Sequence, residues 1–374
     1  MHRVALFQDY LAQNGGAERV TEAIHQALPE ADLYTTLVVP ERISPYLRWV
    51  GAKTSWMQAL PAKAKLYRHY FLLYPFAVES AHLAEYDLIV SSCCGYAKGV
   101  KRGRNAVHVC YCHNPMRWVW RFPEYVAREN FSKRMKFGLE FMVRGLKRWE
   151  MRAATRPDCY IANSHIVAER LKAAFGVEAT VIEPPIVTSR FQISREVDDY
   201  YLILSRLVPY KRLDLAVEAC KLTGRRLIVI GDGSDRGRLE SLAGPRVTFL
   251  GRQPDEAVTR YASRCRALIY PGEEDFGMAP LEINAAGRPV VAYGAGGATE
   301  TVIENLNGVL FREQTTESLI QALERLESQT WHPTAIRRNA QRYDIHAFRE
   351  RLLRFLYQVS PAMRDVPEFL RRAG

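Results

Sequence analysis

Short, uniformly apolar runs recur along the chain. Each leads into a glycine-bearing or polar turn and then into a stretch whose apolar residues return every three or four positions. Runs without polar alternation mark strands buried on both faces of a parallel sheet, and the stretches between them have the period of covering helices. The pattern predicts strands over 2–8, 88–92, 106–112, 158–164, 267–270, 289–293 and 307–311, with others opening at Tyr201, Arg226 and Val247. It predicts helices over 17–28, 165–175, 316–326, 335–344 and 346–357, and a short one with Pro280 at its start. Ser164 reads as the N-cap of the 165–175 helix, where a serine oxygen accepts from orphan first-turn amides. A longer stretch, 128–155, carries Phe131, Met135, Leu139, Met142, Leu146 and Trp149 on one face and basic residues on the other.

Strand and helix alternate to the end, which predicts an α/β protein. A chain of 374 residues exceeds one ordinary core, so two domains are expected. The periodicity lapses from Pro184 and Pro185 to Tyr200, which places a linker there. The expected division is therefore an N-terminal Rossmann-like domain, 1–190, and a second one, 191–356. A hydrophobic content of 48%, 25% charged residues and no apolar run of spanning length describe a soluble globular protein, and the first residues lead straight into a strand without a signal peptide. Seven cysteines, mostly inside apolar runs, predict reduced thiols and no disulfide framework. Cys110, Cys112 and His113 make no metal cluster, because neighbouring strand positions point to opposite faces and no second pair follows at zinc-like spacing.

The most informative stretch is Ile269-Tyr-Pro-Gly-Glu-Glu-Asp-Phe-Gly-Met-Ala-Pro-Leu-Glu282, continued by Ala286-Gly-Arg-Pro-Val-Val-Ala-Tyr-Gly-Ala-Gly-Gly297. It reads as two strand-to-helix junctions side by side, each offering unpaired amides and the positive end of a helix dipole to an anion such as a phosphate. Gly277, Gly294, Gly296 and Gly297 are read as letting backbone approach a ligand. Glu274 and Glu282 would repel a phosphate, so their partners are expected to be hydroxyl groups of a sugar or ribose.

In this register the stretch resembles the Glu-x7-Glu signature of retaining glycosyltransferases of family 4. The resemblance implies the GT-B fold, two Rossmann-like domains facing each other across a cleft, with the chain's last segment, 357–374, packing back on the first domain. It implies a donor site made by Gly15 and Gly16 after the first strand, Arg206 and Lys211 after the strand at Tyr201, Arg252 beside the nucleobase, and Glu274, Phe276, Gly277, Met278 and Glu282. Arg206 and Lys211 would neutralise a diphosphate leaving group, as a guanidinium fork and a point-charge ammonium can. Glu282 would hold ribose hydroxyls and Glu274 the sugar near the reacting carbon. His113, at a strand's carboxyl end, takes the place of the family's histidine beside the reactive sugar. Arg206, Lys211, Glu274 and His113 form the expected catalytic set, and Asn163, Ser164, Arg117 and Trp118 the acceptor wall. No metal and no cofactor is called for, since cations and peptide dipoles supply the positive potential.

Charge adds partners. Between Lys98 and Arg156 stand fifteen basic and four acidic residues, a surplus equal to the chain's net charge of +11. Such a patch attracts nucleic acid, an anionic lipid surface or a diphosphate-bearing acceptor. Within 60–78, Lys63, Lys65 and Arg68 interleave with tyrosines and leucines, which reads equally as an interfacial element or as a core helix with basic tips. General similarity to bacterial polysaccharide enzymes implies mannosyl transfer from GDP-mannose to a polyprenyl-diphosphate-linked saccharide, by a cytoplasmic protein peripheral to the inner face of the membrane. A UDP-sugar transferase and a nucleotide-sugar 2-epimerase of the same architecture stand as alternatives. Nucleic acid is not an expected partner, because charge alone does not explain the paired glutamates.

Overall fold

The computed structural model describes residues 2–122 and 133–363. Arg128, Phe131 and the tail 364–374, which enter the expectations above, lie outside the described residues. The chain divides into two compact units: residues up to Glu183 together with the segment from His346 on, and Pro184–Ile345.

The first unit carries a seven-stranded sheet built from β1 (Val4–Gln8), β2 (Asp32–Thr35), β3 (Lys53–Thr54), β4 (Leu88–Cys93), β5 (Val107–Cys112), β6 (Cys159–Ala162) and β7 (Ala179–Val181). Their order is β3-β2-β1-β4-β5-β6-β7, and every pairing is parallel. The second unit carries β8 (Tyr201–Leu204), β9 (Leu227–Ile230), β10 (Val247–Gly251), β11 (Leu268–Tyr270), β12 (Val290–Tyr293) and β13 (Gly308–Phe311). These too are all parallel, in the order β10-β9-β8-β11-β12-β13. In each sheet the first strand has later strands on both sides, so chain direction reverses beside it. Open α/β sheets bind ligands outside the carboxyl ends of the strands at such a reversal.

The reason the strands are apolar throughout is visible in the second sheet. Leu202, Leu268, Tyr270, Val290 and Ala292 point into one hydrophobic cluster, while Tyr201, Ile203, Ile269 and Val291 point into another on the opposite face. Period-two geometry thus divides each run between two helical layers.

Glycine closes the layers where helices turn back, as at Gly176 (φ 70°), which follows the His165–Phe175 helix in the left-handed region. The Ile345–Val359 helix buries Phe348, Leu352, Leu353 and Leu356, and its Phe348 ring lies 6.0 Å from that of Tyr111 in β5. Arg351 bonds Glu183 at 2.5 Å. The chain therefore returns to the first unit with this helix, earlier than the 357–374 segment expected from sequence.

The 60–78 stretch is not one helix. It forms two short ones, Lys63–Leu66 and Tyr74–Glu79, with Tyr67, Tyr74, Ala77 and Val78 buried while Leu66, Leu72 and Phe76 are exposed. Among the described residues no helix is long and apolar enough to cross a membrane, and no group of His, Cys, Asp and Glu is placed to hold a metal ion. None of the seven cysteines forms a disulfide among the described residues, and Cys94 is exposed rather than part of the core.

Candidate functional site

In the second unit, β8, β9, β11 and β12 deliver four loops to one edge of the sheet, and glycines lock them together. A Cβ on Gly231 would lie 1.8 Å from the Ser205 carbonyl oxygen, and one on Gly233 2.1 Å from that of Leu207, so the loops after β8 and β9 touch backbone to backbone. Gly272 does the same against Lys211, whose Cα would be 2.9 Å from an added Cβ. The loops after β11 and β12 pair like strands at Glu274 and Gly296, and the Gly297 amide donates to the Glu274 carbonyl at 2.8 Å. A Cβ on Gly296 would meet that carbonyl oxygen at 2.3 Å, and one on Gly297 would meet Phe276 Cα at 2.2 Å. Gly296 and Gly297 therefore admit neighbouring backbone.

This locking sets the side chains. Lys211 Nζ lies 2.8 Å from Glu274 Oε1, both groups largely shielded from solvent. The two were assigned from stretches sixty residues apart, and the fold brings them into contact at the chain reversal between β8 and β11. Among the described residues no donor is aligned for a hydrogen bond to Glu274 Oε1, so the contact is an ion pair. Arg206 is exposed after β8, with Nη2 3.3 Å from the Tyr210 hydroxyl. Gly277 takes φ 98° and caps the Met278–Ala285 helix; Glu282, 8% exposed, lies within that helix. Arg252 is exposed at the end of β10. The Phe276 ring is buried, 5.8 Å from that of Tyr343, which leaves its backbone to meet a donor. Met278 is partly buried against the same cluster.

In the first unit the corresponding edge carries Gly15, His113, Asn163 and Ser164. The loop after β1 is held by Glu18, an acid the sequence reading passed over. Its carboxylate accepts from the amides of Ala12 at 2.6 Å, Gln13 at 3.0 Å and Gly15 at 2.9 Å. Burial raises its carboxyl above the ordinary value while those amide bonds oppose the rise. The Gly15 amide is thus engaged by Glu18. An added Cβ at Gly15 meets nothing within 4 Å, so what this glycine leaves is room. A glutamate three residues into a helix after a glycine N-cap is a signal for such a loop, since it is half of a capping box.

His113 follows β5 and is 8% exposed, with Nε2 3.0 Å from Ser92 Oγ. Ser92 Oγ in turn lies 2.9 Å from Thr21 Oγ1. The imidazole is oriented by hydroxyls from β4 and the first helix, residues with no distinguishing pattern in the sequence. Asn163 is buried, and Ser164 is wholly so; the Ser164 hydroxyl accepts from the Val167 amide at 3.2 Å. Capping engages the Ser164 hydroxyl, which is fully buried. Arg117 and Trp118 start a four-residue helical turn, Arg117–Trp120, and Trp118 packs edge-on against Phe71 at 5.2 Å.

Two buried acids tie this edge together. Asp9 accepts from the amides of Cys94 (2.7 Å), Tyr96 (2.9 Å) and Ala97 (2.5 Å), joining the loops after β1 and β4; burial pushes its carboxyl up to about 7. Glu150, fully buried, pairs with Lys98 at 2.6 Å and accepts from the Met116 amide at 3.0 Å and Trp120 Nε1 at 2.8 Å.

Comparison with known proteins follows the same division. The family profile described as Glycosyltransferase Family 4 matches residues 14–190, and that described as Glycosyl transferases group 1 matches 185–343. The chain is 36% identical over 109 residues to a GDP-mannose-dependent alpha-mannosyltransferase of Mycobacterium tuberculosis, covering 29% of this chain and 28% of that protein. It is 27% identical over 272 residues to human Alpha-1,3/1,6-mannosyltransferase ALG2, covering 60% and 61%. Matches span 36%, 37% and 28% of three curated relatives, about a third of their length. Among solved structures, Anabaena HepE in complex with UDP and glucose superposes with a TM-score of 0.69 at 20% identity, over 96% of this chain and 100% of that one.

Proposed function

The chain belongs to the glycosyltransferases of family 4, with the α/β fold of the GT-B enzymes, and from that premise we propose that it transfers a hexose from a nucleotide diphosphate sugar to a hydroxyl of a saccharide acceptor, with retention at the anomeric carbon. The observation that carries this reading is the Lys211–Glu274 pair, 2.8 Å apart at the reversal point of the second sheet. A cation for the departing diphosphate and a carboxylate for the sugar stand side by side, as transfer from such a donor requires. Arg206 adds a second cation, and Glu282 supplies an acceptor for ribose hydroxyls. Charge growing on the leaving diphosphate is met by fixed positive groups, which act most strongly where water is excluded. In the first unit His113 is oriented by Ser92, and Arg117 is assigned to the acceptor.

Mannose from GDP-mannose is the donor favoured by the named mannosyltransferase relatives. A lipid-linked saccharide at an anionic membrane surface is the acceptor favoured by the surface of the first unit. There Phe141, 77% exposed, and Met151 sit on the Lys133–Ala153 helix among Arg144, Lys147, Arg148 and Arg152. The exposed Phe76 and Leu66 accompany Lys63 and Lys65. Each basic residue near such a surface contributes on the order of 1 kcal/mol.

A thermal-shift panel of GDP, UDP, ADP and their sugars tests the donor. Ligand at a hundred times its dissociation constant stabilises by about 2.7 kcal/mol, so GDP and GDP-mannose are expected to raise the midpoint most, and a response to UDP alone overturns mannose. Sedimentation with anionic but not neutral liposomes is the expected surface result; equal partitioning removes the membrane.

A further inference from the structure

The Lys211–Glu274 pair stands on two loops, the one after β8 and the one after β11, and a third loop reaches both. Gln314, half-buried, lies between β13 and the Thr316–Glu327 helix. Its Nε2 donates to the Pro271 carbonyl at 2.9 Å, and its Oε1 accepts from Arg212 Nη1 at 3.3 Å. Arg212 follows Lys211 directly, and Pro271 opens the loop that carries Glu274. We propose that Gln314 is a positioning residue for the transfer reaction, a strut that keeps the Lys211 ammonium and the Glu274 carboxylate at one spacing so that the departing diphosphate meets a cation already in place. The inference rests on the transferase reading and deepens it.

Arg212 has φ 50° and ψ 39°, the left-handed region, which is unfavourable for a residue with a Cβ. Such a conformation persists where its surroundings over-determine it. Here the guanidinium is held on two sides, by Asp214 with both carboxylate oxygens 3.3 Å from Nε and by Gln314 at Nη1. The direction in which the chain leaves Lys211 is fixed with it. The two loops also touch backbone to backbone: a Cβ on Gly272, next to Pro271, would lie 2.9 Å from both the Cα and the carbonyl oxygen of Lys211. A shift of Pro271 is therefore passed to Lys211. Gln314 is itself anchored by its neighbours. The Thr315 hydroxyl caps the following helix by accepting from the Ser318 amide at 3.2 Å, and Thr316 Oγ1 donates to Glu218 in the Leu213–Thr223 helix at 3.0 Å. Only a side-chain amide gives to a carbonyl and accepts from a guanidinium at once with no charge of its own; a carboxylate lacks the donor and an ammonium the acceptor.

Titration calorimetry with GDP on the full chain tests this as a double-mutant cycle between Gln314→Ala and Lys211→Ala, carried to millimolar GDP. Gln314→Ala alone is expected to weaken GDP binding about fivefold, the scale of one net hydrogen bond. In the Lys211→Ala chain, where no ammonium is left to place, the same change is expected to alter affinity by less than about twofold. A merely structural role gives the same loss in both backgrounds. Gln314→Met, which keeps the length of the side chain and removes both bonds, is expected to repeat the alanine result and serves where the alanine variant does not fold. Where the nucleotide panel selects UDP or ADP, that nucleotide replaces GDP in the cycle. Undiminished affinity in the Gln314 variants, or a loss of equal size with and without Lys211, overturns the proposal. A chain that binds none of the three nucleotides defeats the transferase reading and the strut with it, whereas one that binds a nucleotide without regard to Gln314 defeats the strut alone.

Discussion

At the scale of single residues, the structure divides the glycines by what stands opposite them. Gly297 faces Phe276 backbone at 2.2 Å from an added Cβ, whereas Gly15 has φ −93° and open space. Gly297→Ala is therefore expected to destabilise by about 1–3 kcal/mol, the cost of overpacking, and Gly15→Ala to leave the melting midpoint unchanged; paired thermal melts decide it. Lys211→Ala leaves Glu274 without its counter-ion and the leaving diphosphate without one cation. A loss of about a hundredfold or more in kcat is expected from transfer assays, with weaker nucleotide binding, as for other groups aimed at developing charge. Sequence motifs named both members of that pair but not their contact, because contact depends on two loops meeting at a sheet edge. Glu18 and Ser92 escaped notice for the converse reason: a buried glutamate and a strand serine become informative only when their partners are known.

At the scale of elements, the longer strands were legible because burial on both faces leaves few polar positions in them, and β2, β3 and β7 were not, being short and lying toward the sheet edge. β5 carries a titratable group that makes its burial measurable. His108 is fully buried with Nε2 2.8 Å from Ser91 Oγ, and burial, aided by the charges of Arg102 and Arg156, lowers its pKa from 6.5 to about 3. The unfolded chain takes up this proton below about pH 6.5 while the folded chain does not, so stability is present above that pH and is lost as pH falls toward 3. Denaturant melts across this window are expected to show a shallower decline for His108→Gln than for the unaltered chain. The 60–78 segment shows the opposite case, where near-continuous apolarity described two broken helices whose alternate sides are buried and exposed.

At the scale of the whole chain, the first unit is completed by a helix from the far end of the sequence. Phe348 is fully buried and touches the β5 tyrosine, Tyr111, so its loss is felt in a sheet formed by the first half of the chain. Phe348→Ala is expected to cost about 3–5 kcal/mol in equilibrium unfolding, as large-to-small core changes do. An unchanged unfolding midpoint would mean that this helix is not part of the first unit's core. Two sheets of the same strand order, each with its site residues on the carboxyl edge, also explain why the two family profiles meet near residue 185.

The order of apolar runs and turns by itself determined an α/β chain of parallel strands, and the register of Glu274, Gly277 and Glu282 determined its family, since both are properties of spacing along one line. Tertiary structure decided which groups pack against neighbouring backbone and which meet one another. It turned Gly296, Gly297, Phe276 and Ser164 inward and set Lys211 against Glu274. Those outcomes follow from which loops share a sheet edge, and that is a matter of strand order in space, which linear spacing does not encode.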